Sequence, residues 1–232
     1  MRTKIFCDIA DFKTIKLFNK KRIVDGFTTN PSLMRLAGAK NYKNYSQRIL
    51  KICKKKPISF EVFGDNFDEM VDQAYKINKW GKNVYVKIPV VNSKGVFSGK
   101  VINKLSFEGI KLNITAIYTY EQIKKVLKNL NKKTPTILSI FAGRMADKGK
   151  DPLPVLKQSI KAVKDFKKIE ILWASTREAY NFTQAKQIRC NIITMPPSVI
   201  NKVEKFGMSS KLMTINTVKN FLEDSKKSKF RI

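Results

Sequence analysis

Eight short apolar runs, each followed by a stretch of helical periodicity, restrict this chain more than any other feature of its sequence. The runs predict strands over Lys4–Asp8, Ile23–Thr28, Ile58–Phe63, Asn83–Ile88, Lys111–Thr115, Thr136–Phe141, Ile169–Ser175 and Asn191–Met195. They are rich in β-branched and aromatic residues and have the length of ordinary strands. Between them, Phe67, Met70, Val71, Ala74 and Ile77 share one helix face after an Asn66-x-x-Glu69 capping box. Ile123, Val126, Leu127 and Leu130 do the same after Thr119-x-x-Gln122, and Asp151-Pro152 supplies a cap and an N1 proline for a third helix. Strands that alternate with helices build a parallel sheet, and eight such units predict a closed (β/α)8 (TIM) barrel. With no linker or low-complexity break, residues 1–208 read as one catalytic domain. Residues 209–232 read as an additional C-terminal helix and tail, whose Ile215, Val218 and Leu222 need a cover such as a neighbouring subunit.

Composition removes several chemistries. The chain contains no histidine, which rules out Ser-His-Asp and Cys-His catalysis and leaves proton transfer to carboxylates, lysine, tyrosine or water. Cys7, Cys53 and Cys190 are scattered, with no C-x-x-C pair, so neither a disulfide framework nor a zinc site is expected. No apolar run reaches the eighteen or so residues that span a bilayer. The opening Met1-Arg2-Thr3-Lys4-Ile5-Phe6 leads straight into a strand without a signal-peptide core, and a cytoplasmic enzyme is expected.

The formal charge of +29 has two readings. A nucleic-acid partner rewards basic surface. Yet the lysines are dispersed over predicted helix faces and chain ends, with no aromatic-interleaved basic strand. Their company of Asn and Ile fits drift towards AT-rich codons, which is the favoured reading. Under either reading a positive field favours phosphorylated substrates.

Strand parity then locates the chemistry, because residues two apart share a face. In Asn83-Val84-Tyr85-Val86-Lys87-Ile88-Pro89 the valines and Ile88 face the helices, and Tyr85 and Lys87 point into the barrel. Lysine is seldom fully buried. Either Lys87 snorkels to water from the strand end, or it serves as an amine nucleophile towards a carbonyl, since burial disfavours an ammonium. The same parity turns Ser59, Glu61, Asn113 and Thr115 inward. Asp8, Ser139 and Ser175 stand near strand ends, and Thr28 and Asn30 follow the second strand. Polar side chains thus gather at the C-terminal ends of strands, where barrels of this type keep their active sites. Helix capping accounts for one or two of them. It does not account for two acids, an amide and a lysine together, a set suited to handling a carbonyl.

These residues resemble a known family. Phe6-Cys7-Asp8-Ile9-Ala10-Asp11 resembles the "LDTAD" opening of the transaldolases, Gly26-Phe27-Thr28-Thr29-Asn30-Pro31-Ser32 their "GVTTNPS", and Val86-Lys87-Ile88-Pro89 their "VKIP". Asn113-Ile114-Thr115, Phe141-Ala142-Gly143-Arg144 and Ala174-Ser175-Thr176-Arg177 match in order and spacing, so the resemblance spans the chain. It points to the short bacterial-type branch that also holds the fructose-6-phosphate aldolases. The resemblance implies a Schiff base on Lys87, proton exchange by Asp8, and a water held by Glu61 and Thr115. It further implies that Asn30 and Asn113 bind the dihydroxyacetone hydroxyls, with Thr28 and Ser139 beside them, and that Arg144, Ser175 and Arg177 bind the sugar phosphate. No cofactor is implied, since a protonated imine is its own electron sink. Short relatives form rings through a C-terminal helix, which implies a pentamer or decamer here.

Within the family, Glu61, Asn113 and Phe141 are the transaldolase choices, whereas aldolase-type members carry Gln and Tyr at the positions of Glu61 and Phe141. Transfer of a dihydroxyacetone unit between sugar phosphates is therefore favoured over free cleavage by a class I aldolase. A non-catalytic, nucleic-acid-binding barrel is the remote alternative, opposed by the intact Lys87, Asp8 and Glu61. Ile9, Ile140 and Trp173 depart from the family pattern, and Trp173 is expected to face inward and narrow the sugar pocket.

Overall fold

The structure is a computed structural model that describes residues 2–229. Eight parallel strands pair in sequence order and close, β8 hydrogen-bonding to β1. In chain order the elements are β1 (Lys4–Asp8), α1 (Phe12–Lys20), β2 (Val24–Thr28), α2 (Pro31–Leu36), α3 (Tyr42–Ile52), β3 (Ile58–Glu61) and α4 (Phe67–Asn78). Next come β4 (Val84–Pro89), α5 (Gly99–Phe107), β5 (Leu112–Ile117), α6 (Tyr120–Asn129), β6 (Thr136–Ile140), α7 (Ala142–Ala146) and α8 (Leu153–Val163). β7 (Ile169–Trp173), α9 (Tyr180–Gln187), β8 (Ile192–Met195), α10 (Pro197–Val203) and α11 (Ser210–Ser228) complete the fold. The predicted barrel and the extra C-terminal helix are both present; positions 230–232 of that last segment lie outside the described residues.

Local signals mostly act where the sequence puts them. Thr119 and Gln122 form a reciprocal capping box at α6, and Asn66 Oδ1 accepts from Glu69 N at 2.8 Å at the start of α4. The third predicted cap differs: α8 begins at Leu153, and Asp151 reaches forward to accept from Leu153 N at 2.9 Å.

Two apolar layers result from strand alternation. The outward side chains, among them Cys7, Phe27, Phe60, Val86 and Ile171, pack under the helices in the main core. Phe6, Ile137, Leu172, Ala174 and Ile192 form a second cluster inside the barrel. Gly26 makes room for it, because a Cβ there would lie 2.6 Å from the Phe6 ring. Beneath that plug the Lys4 ammonium pairs with Glu170 at 2.8 Å. Everything above it is left for the polar residues at the strand C-termini.

Trp173 is corrected by this alternation. It is 2% exposed and belongs to the outer core, while its neighbours Leu172 and Ala174 face the interior. Counting inward by twos from Ser175 fails because β7 ends at Trp173 and Ser175 has φ +61°, so the strand period no longer holds there. Trp173 cannot narrow a pocket it does not face.

The excess positive charge is polarised along the barrel. The turns that lead into the strands carry Lys54, Lys55 and Lys56 before β3, Lys132 and Lys133 before β6, and Lys164, Lys167 and Lys168 before β7. Glu108 and Asp165 are the only carboxylates in those turns among the described residues. At the opposite end, Asp11, Asp65, Asp147, Asp151 and Glu178 offset Lys40, Lys94, Lys148, Lys150 and Arg177. The helices of the barrel end on the lysine side, where their dipoles favour cations.

Candidate active site

A cavity of about 450 Å³ opens at the C-terminal ends of the strands. Its wall includes Asp8, Thr28, Asn30, Glu61, Lys87, Asn113, Thr115, Ser139, Phe141, Arg144 and Ser175. Of the residues that the sequence assigns to catalysis or substrate binding, Arg177 alone is absent from the wall.

Lys87 is 7% exposed. Its Nζ donates to Thr29 O at 3.0 Å and meets Glu61 Oε2 at 3.2 Å, with strand pairing setting Glu61 directly beside Lys87. The snorkelling alternative therefore does not hold: the amine stays inside, facing a carboxylate. Glu61 is fixed from behind, because its backbone N donates to the half-buried Tyr42 phenol at 2.9 Å. Asp8 accepts from Thr28 Oγ1 at 2.7 Å. Burial pushes the Asp8 carboxyl above its usual range, against the Thr28 hydrogen bond and the Lys87 charge, which act to lower it.

On the far wall, Ser139 Oγ donates to Asn113 Oδ1 at 2.7 Å and Asn113 Nδ2 donates to Ser59 Oγ at 3.0 Å. Both ends of the amide are thus oriented. Thr115 Oγ1 is buried without a hydrogen-bond partner, two residues along the same inward face. A buried orphan hydroxyl on a cavity wall is a place for a water or a ligand atom. Asn30 has a double task, since its Oδ1 caps α2 by accepting from Leu33 N at 2.9 Å while the residue also lines the cavity.

The rim is built from strained and close-packed backbone. Ala116 and Ser175 both line the cavity with φ near +60°, a region that side chains with a Cβ seldom adopt. Gly143 lets α7 dock against this turn: a Cβ on it would lie 1.6 Å from Ser175 O. Docking brings Arg144 to the wall, its guanidinium 5.2 Å from the centre of the Phe141 ring. Arg177 instead grips Asp147, with Nε 3.1 and 3.0 Å from the two carboxylate oxygens. It stands beyond the cavity as the partner of an acid.

The structure also adds residues that the sequence pattern left out. Thr29 holds Lys87 through its carbonyl, and Pro31, Ser32, Leu33, Ala116, Leu172, Ala174 and Thr194 complete the wall. Thr194 was legible in principle, as the inward residue two places after Ile192. Leu172 and Ala174 are plain aliphatic positions that nothing marks in advance. Among the described residues no group of three or more His, Cys, Asp or Glu is placed to hold a metal, and no helix is long and apolar enough to cross a membrane.

An amine, two carboxylates, an oriented amide and a flanking guanidinium therefore share one small cavity. The sequence profile of the Transaldolase/Fructose-6-phosphate aldolase family matches residues 5–232. The chain belongs to this family. The "Probable transaldolase" of Nitrosopumilus maritimus (strain SCM1) is 35% identical over 228 residues, 97% of this chain and 96% of that protein. The "Probable transaldolase" of Streptococcus equi subsp. zooepidemicus (strain MGCS10565) is 35% identical over 225 residues, 95% of this chain and 97% of that protein. Solved structures similar to this member of the transaldolase/aldolase family are more distant. KGPDC from Streptococcus mutans superposes with a TM-score of 0.56 at 10% identity, over 85% of this chain and 89% of that one. The 3-hexulose-6-phosphate synthase of Salmonella typhimurium gives 0.56 at 12% identity, over 84% and 89%. At such identities they share the barrel fold alone.

Proposed function

We propose that this enzyme is a transaldolase that moves a dihydroxyacetone unit between sugar phosphates through a Schiff base on Lys87. The observation that carries the reading is the Lys87–Glu61 contact, 3.2 Å long, on the wall of an otherwise polar cavity. Glu61 is placed to accept a proton from the Lys87 ammonium, which frees the amine to attack the C2 carbonyl of fructose 6-phosphate or sedoheptulose 7-phosphate. Water leaves as the imine forms, and Thr115 with Glu61 is suited to hold it. Asp8 then takes the proton of the C4 hydroxyl as the C3–C4 bond breaks, and its electrons pass into the protonated imine to give an enamine. An aldehyde acceptor reverses the step, Asp8 returns the proton, and water hydrolyses the new imine. Asn30 and Asn113 bind the hydroxyls of the three-carbon unit, and Arg144 and Ser175 bind the phosphate. Arg177 serves that phosphate as a second cation only by giving up Asp147.

Fructose 6-phosphate with borohydride is expected to leave a reduced three-carbon unit on Lys87, found by peptide mapping. Lys87→Met loses both adduct and turnover. Labelling at another lysine overturns the mechanism.

A further inference from the structure

The eighth strand offers the cavity one polar side chain, Thr194, to which neither the sequence pattern nor the resemblance gives a task. Thr194 is 5% exposed. Its Oγ1 lies 2.5 Å from Thr28 Oγ1, and Thr28 Oγ1 lies 2.7 Å from Asp8 Oδ1. Ile193 and Met195 face the helices and Ile192 faces the interior, so strand alternation turns Thr194 inward. The strand end itself is pinned, because Thr194 O accepts from Thr176 Oγ1 at 2.8 Å.

Proton counting gives this chain of atoms a direction. A hydroxyl has one proton to donate, and an ionised carboxylate has none. Thr28 must spend its proton on Asp8, because a buried carboxylate oxygen without a donor is costly. In the contact between the two threonines Thr194 is therefore the donor. The order is Thr194 to Thr28 to Asp8, and each bond polarises the next.

We propose that Thr194 is a positioning residue that acts through Thr28, fixing Asp8 Oδ1 as an acceptor and leaving Oδ2 to exchange the proton with substrate. The inference rests on the reading of Asp8 as the base of the proposed reaction. Other charged groups that face Asp8 across the barrel are Lys87 on β4 and Glu61 on β3. Into the cavity β5, β6, β7 and the turn after β7 send Asn113, Thr115, Ser139, Leu172 and Ala174, none of which titrates, and Cys7 next to Asp8 faces the helices. Burial and Glu61 favour a protonated Asp8; Lys87 and the hydroxyl chain favour the carboxylate. Weakening the chain therefore shifts Asp8 towards the protonated form, and the acid limb that reports its ionisation moves to higher pH.

Thr194→Val keeps the β-branched shape and removes the donor. The pKa of Asp8, followed by carbon-13 NMR of aspartate-labelled protein and assigned with Asp8→Asn, is expected to rise by about half to one unit, the size of one hydrogen bond. The acid limb of kcat/KM should rise with it, and borohydride trapping on Lys87 should persist. Thr194→Ser should restore the wild-type values. In a Thr28→Val background, Thr194→Val should add no further shift, which a merely structural role would not reproduce. Should Thr194→Val fail to fold, Thr194→Ala is compared with Thr194→Ser in the same titration. An unmoved Asp8 titration, or shifts that add in the double variant, overturns the inference. A moved titration with an unmoved rate profile leaves the hydroxyl chain standing and instead overturns Asp8 as the base.

Discussion

At the scale of single residues, the cavity concentrates groups whose placement costs stability. Asp8 holds its proton more tightly in the folded chain than in the unfolded one, because burial raises its carboxyl. Such a group favours folding below the ordinary carboxylate range and opposes it as pH rises through the folded value. Asp8→Asn is thus expected to raise the melting temperature at neutral pH by roughly 2–4 °C, the shift of a kcal/mol in a chain of this size. The gain should fade in acid, near the unfolded carboxylate value. Turnover should fall by at least about a hundredfold. Calorimetry at two pH values checks the first outcome and a coupled assay the second. Phe141 makes a separate point. In the proposed reaction an enamine on Lys87 can await an aldehyde, but free release needs protonation at carbon and then water, and a phenyl ring has no proton to give. Glyceraldehyde 3-phosphate should form from fructose 6-phosphate about a hundredfold faster with erythrose 4-phosphate than without it. Phe141→Tyr should raise the rate without acceptor. A wild-type rate that ignores the acceptor marks an aldolase instead.

At the scale of elements, the rim depends on one missing side chain. Gly143→Ala would drive a Cβ into Ser175 O, so α7 and the β7–α9 turn cannot keep their contact. A loss of about 1–3 kcal/mol or more is expected in urea unfolding. Because α7 carries Arg144, KM for fructose 6-phosphate should rise more than KM for fructose. The same turn shows how far the sequence was legible. Lys87, Glu61, Asn113 and Ser139 sit within regular strands, where the period of two assigns a face without any knowledge of the fold. Ser175 does not, and its left-handed backbone is invisible in a string of ordinary residues, which is why counting by twos gives Trp173 the wrong face. Arg177 was legible as a cation beyond β7, but its choice of Asp147 depends on the path of the segment after α7. Asn30 shows the converse, since capping and lining the cavity are compatible in one side chain.

At the scale of the whole molecule, α11 has no buried residue, and Val218 at 59%, Phe221 at 69% and Leu222 at 53% stand exposed. We propose that other copies of the chain cover this apolar helix, in the pentamer or decamer that the resemblance implies. Light scattering should find such an assembly, and removal of the residues after Ser209 should leave folded monomers. Full-length protein that remains monomeric at high micromolar concentration contradicts this. The charge is a matter of orientation. Because the strand-entry end is crowded with lysines and the cavity end is nearly balanced, the barrel is an electric dipole along its own axis. Its excess charge lies away from the mouth, where Arg144 is the cation on the cavity wall that the proposed phosphate would meet. Within a Debye length of an anionic surface, about 8 Å at physiological salt, the dipole turns the lysine end towards that surface. The mouth then points away into open solvent, so adsorption and the proposed catalysis occupy opposite poles and need not compete.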